Sequence, residues 1–144
     1  MEHLAIMKKS WNLTQKILGG EKIIESRWYK TKRQPFDRIK TGDVIYFKDS
    51  GDPVTIKADV SEVKQFSDLT PEKILEILEE YGERDGIEKQ KLDYFFKLFK
   101  NKKYCILIFL KNPVIIKPFN INKKGYGSMS AWLCINKIDD IKEN

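Results

Sequence analysis

Lys22, Glu25 and Arg27 follow Gly20 in a short β-branched run, Gly20-Glu21-Lys22-Ile23-Ile24-Glu25-Ser26-Arg27. A carboxylate between two cations can accept from the amino groups of a nucleobase while the cations hold a phosphate or a carbonyl. The same residues could serve a hydrolase. Lys22 would then activate a water or a Glu25-bound intermediate, and Arg27 would stabilise the developing oxyanion. A plainer alternative is a set of ion pairs along one strand, worth ~0–1 kcal/mol each when exposed.

A second signal is the interleaving of cations with aromatic rings. Trp28-Tyr29-Lys30-Thr31-Lys32-Arg33 joins two rings to three cations, and Lys123-Lys124-Gly125-Tyr126-Gly127-Ser128 repeats the pattern near Trp132. Flat rings stack on unpaired bases while Lys and Arg track the phosphate backbone. Tyr29 and Tyr126, flanked by polar residues, are the candidates for stacking. Trp28 and Trp132 can instead be core residues, and for Trp132 that is the reading preferred.

These residues need elements to position them. His3 to Met7 reads as a first strand, and Ser10 or Asn12 can cap a helix with Leu13, Ile17 and Leu18 on its inner face. Gly19-Gly20 stops that helix. Lys22 to Trp28 is a second strand, with Glu25 and Arg27 on one face and Ile24, Ser26 and Trp28 on the other. Lys22 joins Glu25 only if the strand bends at its start. Tyr29 to Lys40 is a basic loop, and Val44 to Lys48 and Val54 to Phe66 are strands around a hairpin turn. Val63 breaks the alternation of the longer strand, which predicts a bulge near Ser61-Glu62.

Thr70-Pro71-Glu72 is a helix start, followed by Ile74, Ile77, Leu78 and Tyr81 at helical spacing. Leu92, Phe95, Phe96 and Phe99 mark a second helix, with a stripe that suits a core. Tyr104 to Leu110 reads as a central strand buried on both faces; Asn112-Pro113 interrupts it before Val114-Ile115-Ile116. Asn120 to Ser128 is a polar loop, Ala131 to Asn136 a last strand, and Lys137 to Asn144 a polar tail. Short strands interrupted by helices predict an α+β fold: a small, curled, mostly antiparallel β-barrel with peripheral helices. We read residues 1–144 as one domain with a helical acidic insert at about 70–100.

The charge is uneven. Lys and Arg outnumber Asp and Glu by 11 to 6 over residues 1–50 and by 11 to 4 over residues 91–144, but are outnumbered 5 to 11 over residues 51–90. Two basic segments that met in space would form a polyanion-binding face. Alternatively, they are a solvated lysine-rich surface. No apolar run approaches the ~20 residues that span a bilayer, and Met1 to Met7 is too short for a signal peptide. A cytoplasmic protein with no membrane partner is the expectation. One histidine, His3, and two distant cysteines, Cys105 and Cys134, are too few for a zinc site, so neither metal nor cofactor is expected. A catalytic triad would have to use His3, which sits in what reads as a frayed terminus.

The run Gly20, Lys22, Glu25, Arg27 resembles the signature of ASCH domains, a branch of the PUA-like barrels. A short helix precedes it, and Ile39-Lys40-Thr41-Gly42-Asp43 after the basic loop is similar to that family's turn into a strand. The similarity spans roughly residues 4–110. It implies a PUA-like β-barrel with a cleft beside the first helix, and RNA binding. A sub-branch hydrolyses acetylated cytidine with a lysine, a threonine and a glutamate. Lys22 matches its lysine, but its threonine falls on Glu25, so the hydroxyl is missing from its place. The leading expectation is therefore a module for RNA or a nucleotide-like ligand, using Lys22, Glu25, Arg27, Tyr29, Lys30, Lys32, Arg33, Lys123, Lys124 and Tyr126. The alternative is a small amidohydrolase for modified nucleosides, with Lys22 and Glu25 catalytic.

Overall fold

Alternating apolar residues drive a six-stranded sheet that curls until its two ends approach each other. The computed structural model describes residues 1–127 and 129–143; Ser128, the end of the expected polar loop, and Asn144, the end of the tail, lie outside the described residues. The strands are β1 (Glu2–Met7), β2 (Ile24–Tyr29), β3 (Val44–Asp49), β4 (Val54–Phe66), β5 (Tyr104–Phe119) and β6 (Trp132–Ile135). Their spatial order is β2-β5-β4-β3-β1-β6. Every pairing is antiparallel except β1 with β3. Three helices, α1 (Leu13–Leu18), α2 (Pro71–Tyr81) and α3 (Leu92–Phe99), complete an α+β half-barrel.

The register of β4 against β5 shifts between Val60 and Glu62, as the broken alternation at Val63 predicts. Such a bulge adds twist and lets the sheet close on itself. Two large apolar clusters result. One lies inside the curl, around Phe47, Ile56, Ile106 and Trp132. The other lies outside it, where α2 and α3 cover β2 and β5 through Ile74, Leu78, Phe95 and Leu107. Residues 105–108 of β5 are buried on both faces because the two clusters sandwich this strand. The Thr70 hydroxyl accepts from the Lys73 N–H and starts α2, with Pro71 at its first position.

Several expectations need correction. Neither Ser10 nor Asn12 caps α1 with its side chain; a 3-10 turn, Lys9–Trp11, comes first, and Asn12 takes a left-handed φ of 54°. β5 is not interrupted at Asn112-Pro113. Asn112 adopts φ 54° and its amide donates to Asp59, while the register shifts between Lys57 and Asp59. The strand thus absorbs a proline at a bulge, where no ladder bond is required. β6 is shorter than residues 131–136. The polar tail is anchored, since Ile138 and Ile141 are buried against Leu4, Leu133 and Ile135. Nor does His3 fray: it is fully buried on β1, between β3 and β6.

Candidate ligand site at the seam of the half-barrel

β2 is an edge strand, so one side of its backbone has no neighbouring strand. The bonds made there identify which residues face that side. Ile24 N–H donates to the Arg84 carbonyl, the Ile24 carbonyl accepts from Lys22, and Ser26 N–H donates to Glu25 Oε1. Alternation turns the Trp28 N–H the same way. The curl brings β1 and the start of β6 opposite this edge. Arg27 spans the gap, donating from Nη2 to the Ile6 carbonyl and from Nη1 to the Ala131 carbonyl, each at 3.4 Å. A cavity of about 280 Å³ occupies the seam. Trp11, Trp28, Phe95 and Phe99 supply its aromatic lining, and Tyr29 lines it too.

Charges gather at the deep end. The second strand starts at Ile24, two residues later than the alternation suggests, because Lys22 turns inward. Lys22 is 2 % exposed, Glu25 3 % and Asp85 5 %. Lys22 Nζ lies 2.5 Å from Asp85 Oδ1, 3.2 Å from Glu25 Oε1, and 2.7 Å from each of the Ile24 and Asp85 carbonyls. Four acceptors exceed the three protons of an ammonium, so Lys22 has none to spare for a ligand. Glu25 Oε2 accepts from Arg27 Nη2 at 3.0 Å and from Nε at 3.3 Å. Ser26 Oγ donates to Asp85 Oδ2 at 2.5 Å and accepts from Trp28 Nε1 at 3.1 Å.

This packing separates the protonation behaviour of the two acids. Burial alone would raise Glu25, but Lys22 and Arg27 outweigh it and hold the carboxyl below its ordinary range. Burial raises Asp85, and with Glu25 also opposing its charge, the Lys22 ammonium only partly offsets the effect. Burial would likewise lower Lys22, yet Asp85 and Glu25 hold it above its ordinary value. Lys22 is therefore a fixed cation at neutral pH, which removes it as a proton acceptor.

Asp85 is the site residue that sequence reasoning misses, since it falls among the solvated acids of the insert. The turn after α2 delivers it: Asp85 N–H donates to the Tyr81 and Gly82 carbonyls. Gly86 follows at φ +81°, and a Cβ there would stand 3.1 Å from Lys22 Cβ. Lys16 of α1 pins the turn through the Gly86 carbonyl. The one signal available is Asp85-Gly86 directly after a helix, a turn dipeptide. Ser26 does face away from Glu25, as alternation predicts. Both nevertheless line the cavity, because it wraps around a strand edge.

The basic stretches are placed differently. Arg33 lies over the Tyr29 ring and Lys32 pairs with Asp37 beside Phe36. Lys30, Lys32 and Arg33 are exposed. Lys123 donates to the Ser130 carbonyl, next to Ala131 at the seam. Lys124 and Tyr126 line a separate depression with Asp140 and Lys142, and Tyr126 packs on the cluster that anchors the tail. The structure thus brings Lys22, Glu25, Arg27 and Tyr29 together but does not bring Lys124 or Tyr126 to them. Trp132 is core, while Trp28 is both core and cavity wall. Phe95 and Phe99 likewise serve both purposes.

Among the described residues, no group of three or more His, Cys, Asp or Glu is arranged to hold a metal ion. No helix among them is long and apolar enough to cross a membrane.

The curled six-stranded sheet with its flanking helices is similar in fold to solved ASCH proteins. The ASCH protein of Zymomonas mobilis superposes with a TM-score of 0.66 at 15 % identity, over 94 % of this chain and 88 % of that one. Its tyrosine-to-phenylalanine mutant gives 0.68 at 15 % identity, over 96 % and 93 %. The N-terminal domain of McrB from Staphylothermus marinus gives 0.62 at 15 % identity, over 96 % and 90 %. At the level of sequence, no family model matches the chain, and no curated protein matches it significantly.

Proposed function

We propose that the chain is a nucleic-acid-binding module that takes the base of an unpaired ribonucleotide, or of a nucleotide-like ligand, into the seam cavity. One observation carries this reading: an aromatic-lined cavity ends on an ionised carboxylate and a guanidinium. Aromatic walls stack bases, and Arg27 offers donors to a base edge, while Glu25, which already accepts from Lys22, the Ser26 N–H and Arg27, holds that guanidinium in place. The four charges at the deep end, Lys22, Arg27, Glu25 and Asp85, cancel formally. A neutral, flat group suits such an end better than a phosphate. Phosphates would follow the exposed Lys30, Lys32 and Arg33, with Tyr29 between them and the cavity. Lys22 would not touch the ligand; it keeps Glu25 charged and in place. Lys123, beside the Ser130–Ala131 lip, would extend the basic track, and Lys124 and Tyr126 would meet only a longer strand. The ASCH-like fold supports the same reading. Residues 1–144 would act as one unit, with the acidic insert supplying Asp85 and the α3 wall.

The test is fluorescence anisotropy with a labelled single-stranded oligoribonucleotide across a salt series. The logarithm of affinity should fall linearly with the logarithm of salt concentration. Arg27→Gln should weaken binding at every salt concentration. Equal competition by heparin and by RNA would reduce the interaction to unspecific charge.

A second reading rests on Ser26, whose hydroxyl donates to the raised carboxyl of Asp85 inside the cavity. A hydrolase of modified nucleosides would then draw on Ser26 and Asp85, with Lys22 orienting the acid. Turnover of any member of a panel of acylated nucleosides, abolished by Ser26→Ala, would favour it.

A further inference from the structure

The chain's single histidine lies behind the cavity. His3 Nε2 is 2.8 Å from Asp43 Oδ2, and His3 Nδ1 is 3.1 Å from Trp132 Nε1. An indole N–H can only donate, so Nδ1 must be the acceptor and the imidazole neutral, with its proton on Nε2 toward Asp43. On its other side the Trp132 ring lies under the Arg27 guanidinium, 5.1 Å from ring centroid to Cζ. Arg27 also donates to the carbonyl of Ala131, the residue before Trp132. A continuous chain of interactions therefore runs from Asp43 through His3, Trp132 and Arg27 to Glu25.

We propose that His3 is a positioning residue for the seam cavity: by accepting the Trp132 indole N–H it fixes the ring under Arg27, and its protonation loosens Arg27 and weakens ligand binding. The ligand half of this statement rests on the function proposed above; the coupling of His3 to Arg27 does not.

The physical argument is a collision of donors. A proton on Nδ1 would face the indole N–H, and two donors cannot share a bond. Trp132 must then move or turn toward another acceptor. The sulfur of half-buried Cys134, which pairs with His3 across β1 and β6, is one such acceptor. The other groups facing His3 are Asp43, which favours the imidazolium, and Arg38 and the Met1 amino group, which oppose it. Burial is the largest influence, and the net effect holds His3 below its ordinary value. Ligand affinity should therefore be constant through neutral pH and fall as the solution becomes acid.

One histidine makes the experiment clean. Nitrogen-15 spectra of the free protein, titrated downward from pH 8, report the His3 ring, the three indole N–H groups and the Arg27 Nε–H. The expected result is that the Trp132 indole and Arg27 Nε resonances shift with the midpoint of His3. Affinity for the labelled oligoribonucleotide should fall at least about fivefold across the same interval, the lower end of ordinary coupling between linked sites. In His3→Gln, the amide can accept from Trp132 and donate to Asp43 without titrating, so both signals should stay flat. Protonation of His3 with no movement of Arg27 Nε would overturn the proposal. So would an equal drop in affinity in wild type and His3→Gln. If His3→Gln does not fold, the midpoints in the wild-type spectra still decide. If the oligonucleotide binds at no pH, the functional half falls, whereas the spectra judge the coupling separately.

Discussion

Two clusters of cations, similar in sequence, are held in opposite ways. Lys22 and Arg27 are enclosed by acceptors at the seam, and Lys22 meets four of them. Lys30, Lys32 and Arg33, a few residues later, stand on an exposed loop, where Lys32 meets Asp37 in solvent. An ammonium taken out of water costs several kcal/mol, and only close carboxylates and carbonyls offset that. The fold therefore commits a strand start, the α2 turn and a glycine to Lys22, and commits little to the loop. Enclosed charges set the shape and polarity of a site, while exposed ones set how strongly it draws a polyanion. The comparison breaks if substitutions in the two clusters have similar effects.

The largest difference is expected at Lys22. Lys22→Met leaves Glu25 and Asp85 buried side by side without their shared cation. We expect a loss of about 3–5 kcal/mol, the usual result of breaking a buried ion pair from one side. Urea unfolding measures it, and a destabilisation under about 1 kcal/mol, the range of exposed pairs, would mean that Lys22 is no better held than a surface lysine. Gly86→Ala tests the same enclosure through the backbone. Its positive φ alone costs a β-carbon residue about 1–2 kcal/mol, and the new methyl would press on the Lys22 side chain. The destabilisation should be intermediate, and the oligonucleotide affinity should fall as Lys22 and Glu25 shift.

The loop should respond in binding only. Replacing Lys30, Lys32 and Arg33 together by Gln should change stability by less than about 0.5 kcal/mol, as surface substitutions do. On a single strand, the salt slope should drop by about 0.7 for each phosphate that the protein no longer neutralises. An unchanged slope would remove the loop from the path of the phosphates.

The same contrast explains what the sequence disclosed. The start of α2, the bulge near Ser61-Glu62 and the curled, mostly antiparallel sheet were legible because they arise from local chemistry and from alternation. So was the grouping of Glu25 with Arg27, two residues apart on one strand. The continuity of β5 through Pro113 was not, since a bulge can absorb a proline only when the partner strand shifts register. Asp85 was hidden for a different reason. Its Asp-Gly dipeptide marks a turn but not the direction its carboxyl takes; only the turn after α2, folded back over Lys22, makes it the buried one rather than Glu83 or Glu88. His3 was misjudged because closeness to the chain start suggests fraying, whereas pairing with both β3 and β6 buries it.

The smallest effect concerns pH and discriminates between the two acids of the seam. Glu25 has a folded value below its unfolded one, so its contribution is fully present above the ordinary glutamate range and is lost as pH falls through the lowered value. Asp85 has the opposite sign. Its folded value is raised, so as pH falls through that value the folded state takes up a proton earlier and gains stability relative to the unfolded chain. The two partly cancel on the acid side. Asp85→Asn should therefore steepen the acid loss by removing the offsetting uptake, while Glu25→Gln should flatten it. Lys22 acts at the other end: its contribution holds up to the ordinary lysine range and disappears as pH rises through the raised value. Unfolding free energies measured from pH 3 to pH 11 for wild type and both variants give the comparison. If Glu25→Gln and Asp85→Asn change the acid limb in the same direction, the two carboxyls share one environment, and their division into an ionised acceptor and a raised acid is wrong.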